Sequence, residues 1–364
     1  MLSLRRALRK GGRVVYSILA LPVSLFYGAV ITLRNWLYDK GWLPTYKVPC
    51  TVVSIGNLTL GGSGKTPFAL FLLEWLSEQG IAAAYLSRGY GRQTKGFAEV
   101  SLQSPQAIRL YGDEPCLVKK RFPQLPVAVA EDRVKGAQEL LIRYPHLQVL
   151  VLDDAYQHRR IHRDLNVLLI DMQRPIWKDW LFPLGRLREP LNAYRRANLI
   201  VLNKKSSPSD HKRLWFQVPT LSFEYVAQAL IPARAEKDAL SLQTLRYRSV
   251  IAFCGIAHPE SFFTTLRQAE AYIVRYLEFP DHYLYKESDL LRIRKEYRRY
   301  EQRLGIKDLL LLTTEKDLIR VEEAGLLHLL DELPLYAVRI AMLPQNPKAA
   351  TQLLHHFFGN LLKK

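Results

Sequence analysis

Cysteine is scarce: Cys50, Cys116 and Cys254 are the only three in 364 residues, and they lie far apart. That excludes a disulfide scaffold and any CxxC metal knuckle, and it fits a reducing compartment in which lone cysteines serve as small core residues. Long apolar runs are scarce too. Only residues 14–33 pass 20 positions without a charge, which excludes a polytopic or porin-like membrane protein. Acid is in short supply, with 34 Asp and Glu against 52 Lys and Arg for a net charge of +18. Internal repeats and low-complexity tracts are absent.

What remains is a chain that is 48% apolar and 24% charged, the balance of a packed protein, and long enough for two domains with small additions. Its positive charge is concentrated. Residues 1–49 carry Arg5, Arg6, Arg9, Lys10, Arg13, Arg34, Lys40 and Lys47 against Asp39 alone, a net of +7. Residues 174–213 carry another +7, so these two segments hold 14 of the 18 charges. Basic surfaces of this kind meet nucleic acid, anionic lipid or a phosphorylated small molecule. The plainer alternative is a solvated basic surface.

The uncharged stretch 14–33 matches the hydrocarbon thickness of a bilayer as a helix of about 30 Å. Basic residues precede it, and Trp36 and Tyr38 follow at interfacial positions. No Ala-x-Ala site marks a cleaved signal. Pro22 and the small residues Ser17, Ala20, Ser24 and Gly28 leave a spanning helix and a helix lying in the headgroup region both open.

After Pro49 the pattern alternates. Short, wholly apolar segments at 50–55, 82–86, 147–152, 166–170 and 199–202 read as strands buried on both faces of a parallel sheet. Helical patterns occupy 65–79 and 133–144. The expectation is a doubly wound, mostly parallel α/β core. A second set follows, with strands at 249–253, 272–277 and 309–313 and helices at 260–270 and 288–304, read as a smaller α/β domain. The expected division is a membrane helix at 1–38, a core domain at 39–210, a linker at 211–240, the smaller domain at 241–345 and a tail at 346–364.

The most specific motif is Gly61-Gly62-Ser63-Gly64-Lys65-Thr66, between a strand and a helix. Glycines let successive N–H groups turn toward an anion, and the helix N-terminus adds positive potential. Lys65 is placed for the β- and γ-phosphates of a nucleotide and the Thr66 hydroxyl for magnesium. The strict pattern has glycine at position 59, where this chain has threonine. Such a loop needs an acidic partner on a neighbouring strand. The strand at 147–152 ends in Asp153-Asp154, two carboxylates suited to magnesium or its waters.

Three other matches fail. His162-Arg163-Asp164-Leu165 imitates a protein-kinase catalytic loop, but that loop requires Asn at 169, where Leu stands. Asn203-Lys204 resembles a guanine-reading motif, but residue 206 is Ser. His158 and His162 have a metal-helix spacing without the following glutamate, so a charged turn is the better reading.

Taken together, these residues resemble the lipid A 4′-kinase (tetraacyldisaccharide 4′-kinase) family of P-loop enzymes. The blocks are GNLTLGGSGKTP (56–67), SRGYGR (87–92), GDEP (112–115), EDR (131–133), DDAYQHRRIHRDLNVLLID (153–171), PLGRLREP (183–190), CGIAHPESFF (254–263), FPDHYLY (279–285) and TTEKD (313–317). The threonine at position 59 resembles the family's own variant. Where DDGFQ is expected the chain has Asp153-Asp154-Ala155-Tyr156-Gln157, which keeps both carboxylates and an aromatic.

The resemblance implies a P-loop NTPase-like fold. It also implies transfer of the γ-phosphoryl of ATP, with Mg2+, to the 4′-hydroxyl of a tetraacyl glucosamine disaccharide 1-phosphate. The partners are then that lipid and a membrane rather than nucleic acid, at the inner membrane with the catalytic domains on the cytoplasmic face. Asp113 is implied as the base and His282 as its companion, although each alone reads as a helix cap or a turn residue. Asn57, Gly61, Gly62, Ser63, Gly64, Lys65, Thr66 and Gln157 are implied at the nucleotide, and Thr66, Asp153, Asp154 and Glu189 at magnesium. Arg88, Tyr90, Arg133, Arg186, Arg188 and Asp281 are implied at the acceptor. The competing reading is a membrane-tethered P-loop ATPase or GTPase without a lipid acceptor.

Overall fold

The computed structural model describes residues 2–104, 106–203, 217–234, 238–305 and 308–362, with side chains from Leu19 onward except that of residue 304. A 38-residue helix α1 (Leu2–Asp39) comes first. The core then runs β1 (Thr51–Gly56), α2 (Lys65–Glu78), β2 (Ala83–Ser87), β3 (Ala98–Glu99), α3 (Ala107–Tyr111), α4 (Asp113–Arg121), β4 (Val127–Val129), α5 (Arg133–Arg143), β5 (Val149–Leu152), β6 (Leu165–Asp171) and β7 (Leu199–Asn203). The remaining elements are β8 (Thr220–Pro232), β9 (Leu240–Ser241), β10 (Ser249–Cys254), α6 (Pro259–Gln268), β11 (Tyr272–Glu278), α7 (Glu287–Leu304), β12 (Leu310–Thr314), α8 (Glu315–Glu323), β13 (Leu335–Pro344) and α9 (Pro347–Leu361).

One 13-stranded sheet runs through the molecule in the order β11-β10-β12-β13-β8-β7-β6-β1-β5-β2-β4-β3, with β9 beside β8. The expected mostly parallel α/β architecture is present: among the described strands, antiparallel pairing occurs only at β3–β4, β8–β9 and β8–β13. Strands β1, β2, β5 and β7 are buried at every position, which is why they read as unbroken apolar runs rather than alternating ones. On one face of this half, Val53, Ile55, Phe68, Leu72, Leu76, Val149 and Val151 form a core; on the other, Val52, Leu86, Leu150, Leu152 and Leu140 of α5 form another.

The strand β8 decides how the two ends of the sheet face one another. Its first residues pair in parallel with β7, ending at Asn203 opposite Phe223, and it then runs on past the end of β7. The rest pairs antiparallel with β13, which descends from Tyr336 opposite Pro232 to Pro344 opposite Phe223. Because β12 and β10 run parallel to β13, their carboxyl ends point back toward the carboxyl ends of β7, β6 and β1. The end of β12 lies level with Leu230 and that of β7 level with Phe223, roughly 23 Å apart along the strand at about 3.3 Å per residue. Two opposed sets of strand ends therefore frame one cleft.

Within 211–240, expected as a linker, the described residues include the 13-residue strand β8, while 211–216 and 235–237 lie outside the described residues. Its polar alternation, with Ser222, Glu224 and Gln228 among apolar residues, weakens the apolar signal on which the buried strands were found. The expected tail is helix α9, started by Asn346, whose side chain accepts from Ala349 N at 3.1 Å. Ala350, Leu354 and Phe358, spaced every four residues, bury into the first core, where Phe358 packs on Trp75 with centroids 5.3 Å apart. Residues 363–364 of that tail lie outside the described residues.

Helix α1 lies along the molecule. Ser24 Oγ donates to Leu181 O (2.9 Å), Tyr27 Oη to Arg188 O (2.7 Å) and Arg34 Nη2 to Gln157 O (3.0 Å). Its opposite face exposes Leu19, Leu25, Phe26, Val30 and Leu33. Among the described residues no helix is long and apolar enough to cross a membrane. The basic run 292–303 falls on α7, where Arg294 and Arg298 both pair with Glu332 at 3.0 Å, a solvated paired face.

Candidate functional site

The phosphate loop joins the end of β1 to the start of α2. Gly61 and Gly64 have φ of 101° and 86°, values that side chains resist, so the loop curls where the motif requires it. Asn203, at the carboxyl end of β7, donates to Ser63 O (2.8 Å) and to Tyr225 Oη (2.9 Å) and closes the loop from behind. Residues 58–60 also pair with the PLGRLREP segment: Leu60 N donates to Arg186 O (2.8 Å) and Arg188 N to Leu58 O (2.7 Å). The Ser63 hydroxyl and the Asn57 Oδ1 are buried and make no hydrogen bond among the described residues.

Lys65 and Thr66 open α2 opposite the end of β5. Thr66 Oγ1 lies 3.4 Å from Asp153 Oδ2, and Lys65 Nζ lies 3.6 Å from Asp154 Oδ1. The two carboxylates differ. Asp153 is buried, and burial, with the negative Glu114 nearby, pushes its pKa up to about 6 although Tyr85 Oη donates to it at 2.6 Å. Burial would raise Asp154 as well, but Lys65 and Arg188 reverse it and hold that group low; Arg188 Nη1 reaches both its oxygens at 3.1 and 3.2 Å.

Asp113 opens α4, directly after Gly112 with φ 92°. Its Oδ2 lies 3.1 Å from His282 Nδ1 and also accepts from Arg320 Nη2. Burial alone would raise this carboxyl; Lys316, His282 and Arg320 overturn that and hold it far below the usual range. The hydrogen bond to Asp113 raises His282 above its ordinary value in return. His282, at φ 56°, sits on the FPDHYLY turn, and its ring lies 6.0 Å from that of Tyr90. Asp281 takes the backbone N–H of His282 on Oδ1 (3.0 Å) and approaches its Nε2 at 3.7 Å.

The first cluster lies at the carboxyl ends of β1 and β5, and the second joins Asp113 of the same half to His282 and Arg320 from the opposed half, as expected for ligand sites at the strand ends of open α/β sheets. Glu114, one residue after Asp113, acts electrostatically on both Asp153 and Tyr85, and it pairs with Lys316 of α8 at 3.1 Å. Arg121–Glu315 and Lys120–Glu322 extend the seam between α4 and α8.

Other expected residues take different places. Glu189 is wholly buried and accepts from Arg196 (2.7 Å) and from Asn35 of α1 (2.9 Å), so it braces α1 rather than joining Thr66. Gln157 donates to Asn57 O at 2.9 Å and shapes the loop from outside. Arg133 is 2% exposed and points at Ala130 O and Asp153 O, behind the carboxylate rather than in the cleft. Arg186 pairs with Asp179 at 2.7 Å. Arg88 and Tyr90 are exposed at the cleft mouth, and Arg88 makes no hydrogen bond or ion pair among the described residues. Tyr85, Asn203, Asp317 and Arg320 were missed as site residues. A tyrosine in an apolar strand and an arginine on an amphipathic helix carry no sign of where their polar tips go.

Among the described residues, no three His, Cys, Asp or Glu side chains gather into a metal-binding group. That suits magnesium, which takes one or two protein oxygens and completes its shell with phosphate and water. Thr66 and Asp153 are placed for it, whereas Asp154 is taken up by Lys65 and Arg188. His158, pushed down to about 4 by burial and by Arg133 and Arg88, stays neutral.

Comparison with known proteins accords with this geometry. The family model for tetraacyldisaccharide-1-P 4′-kinase matches residues 16–358. The tetraacyldisaccharide 4′-kinase of Cytophaga hutchinsonii is 37% identical over 314 residues, covering 85% of this chain and 86% of that protein. That of Chlorobaculum tepidum is 37% identical over 312 residues, covering 84% and 87%. The crystal structure of "apo" form LpxK from Aquifex aeolicus in complex with ATP aligns with a TM-score of 0.72 and 32% identity, covering 93% of this chain and 98% of that one.

Proposed function

Because the chain belongs to the tetraacyldisaccharide-1-P 4′-kinase family, we propose that it is an ATP-dependent kinase transferring the γ-phosphoryl group to the 4′-hydroxyl of a tetraacyl glucosamine disaccharide 1-phosphate. The observation that carries the reading is the pairing of Asp113 with His282 from the opposed half, one residue from Glu114, whose charge bears on Asp153 beside Thr66. A nucleotide site alone has no use for a buried carboxylate of its own half paired with an imidazole brought in from the opposite set of strand ends.

The loop N–H groups from Gly61 to Gly64 and the ammonium of Lys65 bind the phosphates and meet charge as it builds on the transferring group. Thr66 and Asp153 would hold magnesium, which would supply neutralisation of phosphate charge. Lys65 and Arg188 keep Asp154 ionised, and Asp154 in turn fixes both cations at the phosphate end of the cleft. At the acceptor end, a bond forms from the 4′-oxygen to γ-phosphorus as the bond to the leaving ADP oxygen breaks. The hydroxyl proton passes to the Asp113–His282 pair. It comes to rest on His282, because Lys316 and Arg320 hold Asp113 as a carboxylate. Exposed Arg88 and Tyr90 line the acceptor's entry.

The two-part organisation follows the same logic, with residues 39–210 handling nucleotide and 241–345 supplying His282. The acceptor is an anionic lipid, so the protein works at a bilayer surface, at the inner membrane with its catalytic parts on the cytoplasmic face. The apolar outer face of α1 lies in the headgroup region, since Ser24, Tyr27 and Arg34 on its inner face are bonded to the protein body.

The test is transfer from γ-labelled ATP, with magnesium and detergent, to a tetraacyl glucosamine disaccharide 1-phosphate. Label in a bis-phosphorylated lipid, lost in Asp113→Ala, is expected. Label released only as inorganic phosphate, indifferent to lipid, overturns the reading in favour of an ATPase.

A further inference from the structure

We infer that Arg320 is a positioning residue for proton acceptance: it ties Asp113, on the nucleotide side, to the buried Asp317 on the opposite side, and so fixes the carboxylate that His282 leans on. The inference rests on the Asp113–His282 reading above and deepens it.

The geometry is specific. The Arg320 side chain is 1% exposed. Its Nη2 donates to Asp113 Oδ2, the same oxygen that meets His282 Nδ1. Its Nη1 donates to Asp317 Oδ1 (2.9 Å) and to Gly255 O (2.6 Å). Asp317 is itself immobilised: Gly255 N and Tyr285 Oη donate to Oδ1 at 3.0 and 3.1 Å, and Thr314 Oγ1 donates to Oδ2 at 2.6 Å. Parts of CGIAHPESFF, FPDHYLY and TTEKD thus converge on one guanidinium, whose far side holds Asp113. A planar fork can serve two carboxylates and a carbonyl at once; an ammonium cannot keep all three directions.

A guanidinium that merely filled a buried ion pair would leave the imidazole untouched. Here it shares an oxygen with that imidazole, so its charge bears on where the proton resides. The other charged and titratable groups facing the pair are Lys316 of α8, Glu114 of α4, Asp281 and Tyr90 from the two loops, and Asp317 and Tyr285 behind Arg320. Asp113 and Asp281 favour the proton on His282, and Arg320 opposes it. Removing the Arg320 charge therefore strengthens the hold of His282 on its proton. Removing the Asp317 charge leaves Arg320 uncompensated and weakens it.

The experiment is an NMR titration of His282, assigned by its absence in His282→Gln, together with the pH profile of kcat. In Arg320→Gln the midpoint is expected to rise by ~0.5–1 pH unit, and in Asp317→Asn to fall by a similar amount. Arg320→Lys is expected to hold the wild-type midpoint while losing about 10–100-fold in kcat, with KM for ATP unchanged. Identical midpoints in the folded variants, or shifts of the same sign in Arg320→Gln and Asp317→Asn, overturn the inference. If Arg320→Gln does not fold, the decision rests on Asp317→Asn, where an unmoved midpoint overturns it. The two readings fail separately: Asp113→Asn retaining transfer sinks the base assignment whatever His282 does, whereas loss of transfer in Asp113→Asn with unmoved Arg320 midpoints sinks only the positioning role.

Discussion

A β-carbon placed on Gly64 would lie 2.4 Å from the side-chain nitrogen of Asn203, and 2.3 Å from the hydroxyl of Tyr225. The phosphate loop is therefore held between its own left-handed turn and a polar brace from two strands. This brace fixes the direction of the loop N–H groups before any nucleotide arrives.

Gly64→Ala should lose ATP affinity with the rest of the fold intact. The new methyl overlaps the brace, so Asn203 and Tyr225 must shift, and it must also adopt φ near 86°, a conformation that costs about 1–3 kcal/mol for a side-chain residue. The expected loss is at least ~10-fold in Kd, read by calorimetry with a non-hydrolysable ATP analogue. Unchanged affinity would mean that the loop does not bind phosphate in this conformation.

Lys65→Ala should separate catalysis from folding. The Lys65–Asp154 contact is 3.6 Å long and partly solvated, so its loss costs little stability. Loss of a cation at the transferring phosphoryl group is expected to reduce kcat by roughly 10²–10³-fold. Circular dichroism and thermal melting should be close to wild type. Retained turnover would remove Lys65 from the catalytic group.

Much of this was legible in the chain because buried parallel strands and phosphate loops write themselves locally. β1, β2, β5, β6 and β7 fall within one or two residues of the expected segments, since burial on both faces leaves nothing but apolar side chains. β8 and β13 were missed: both carry half-buried positions, and the antiparallel pairing that turns one half of the sheet back on the other depends on contacts more than 100 residues apart. Side-chain destinations were the least legible. Glu189 and Arg133 have the residue types expected at magnesium and phosphate, yet Arg196 and Asn35 draw the first away and the backbone of Asp153 draws in the second. Arg320 gave no signal, because its partner Asp113 lies 207 positions away.

The pH dependence of transfer should identify the pair. Neutral His282 is the form that accepts a proton, and its pKa is raised by Asp113, so kcat should climb as pH rises through a value above the ordinary 6.5. In Asp113→Asn the carboxylate's pull is gone. The residual activity, reduced by roughly 10²–10⁴-fold, should then rise at lower pH than in wild type. A limb that stays in place in Asp113→Asn would show that another group is titrating.

Glu189→Gln distinguishes a structural carboxylate from a metal ligand. In the structure Glu189 is buried against Arg196 and Asn35, so neutralising it leaves a half-buried guanidinium short of its counter-charge at a cost of about 1–3 kcal/mol. The expected result is a lower melting temperature with the magnesium concentration for half-maximal activity unchanged. A raised magnesium requirement at unchanged stability would return Glu189 to the metal shell.

The outer face of α1 makes the last prediction, and it concerns where the enzyme finds its acceptor. Leu19, Leu25 and Phe26 are 69%, 64% and 72% exposed, an unusual amount of large apolar surface for one face of one helix. The inner face is committed to the protein through Tyr27 and Asn35, so the helix cannot roll to hide that surface. Arg5, Arg6, Arg9, Lys10 and Arg13 precede these apolar residues in the sequence of α1 and favour an anionic leaflet. Binding of such a helix scales with the apolar area buried plus the attraction of its basic residues. Leu25→Glu with Phe26→Glu should therefore weaken sedimentation with vesicles containing anionic lipid by at least ~10-fold. Transfer to acceptor dispersed in detergent should persist, because neither side chain touches the cleft. If vesicle binding is unchanged, the outer face of α1 is not a membrane-binding surface. If detergent activity collapses as well, α1 supports the fold of the site through Arg188 and Glu189 rather than serving the membrane alone.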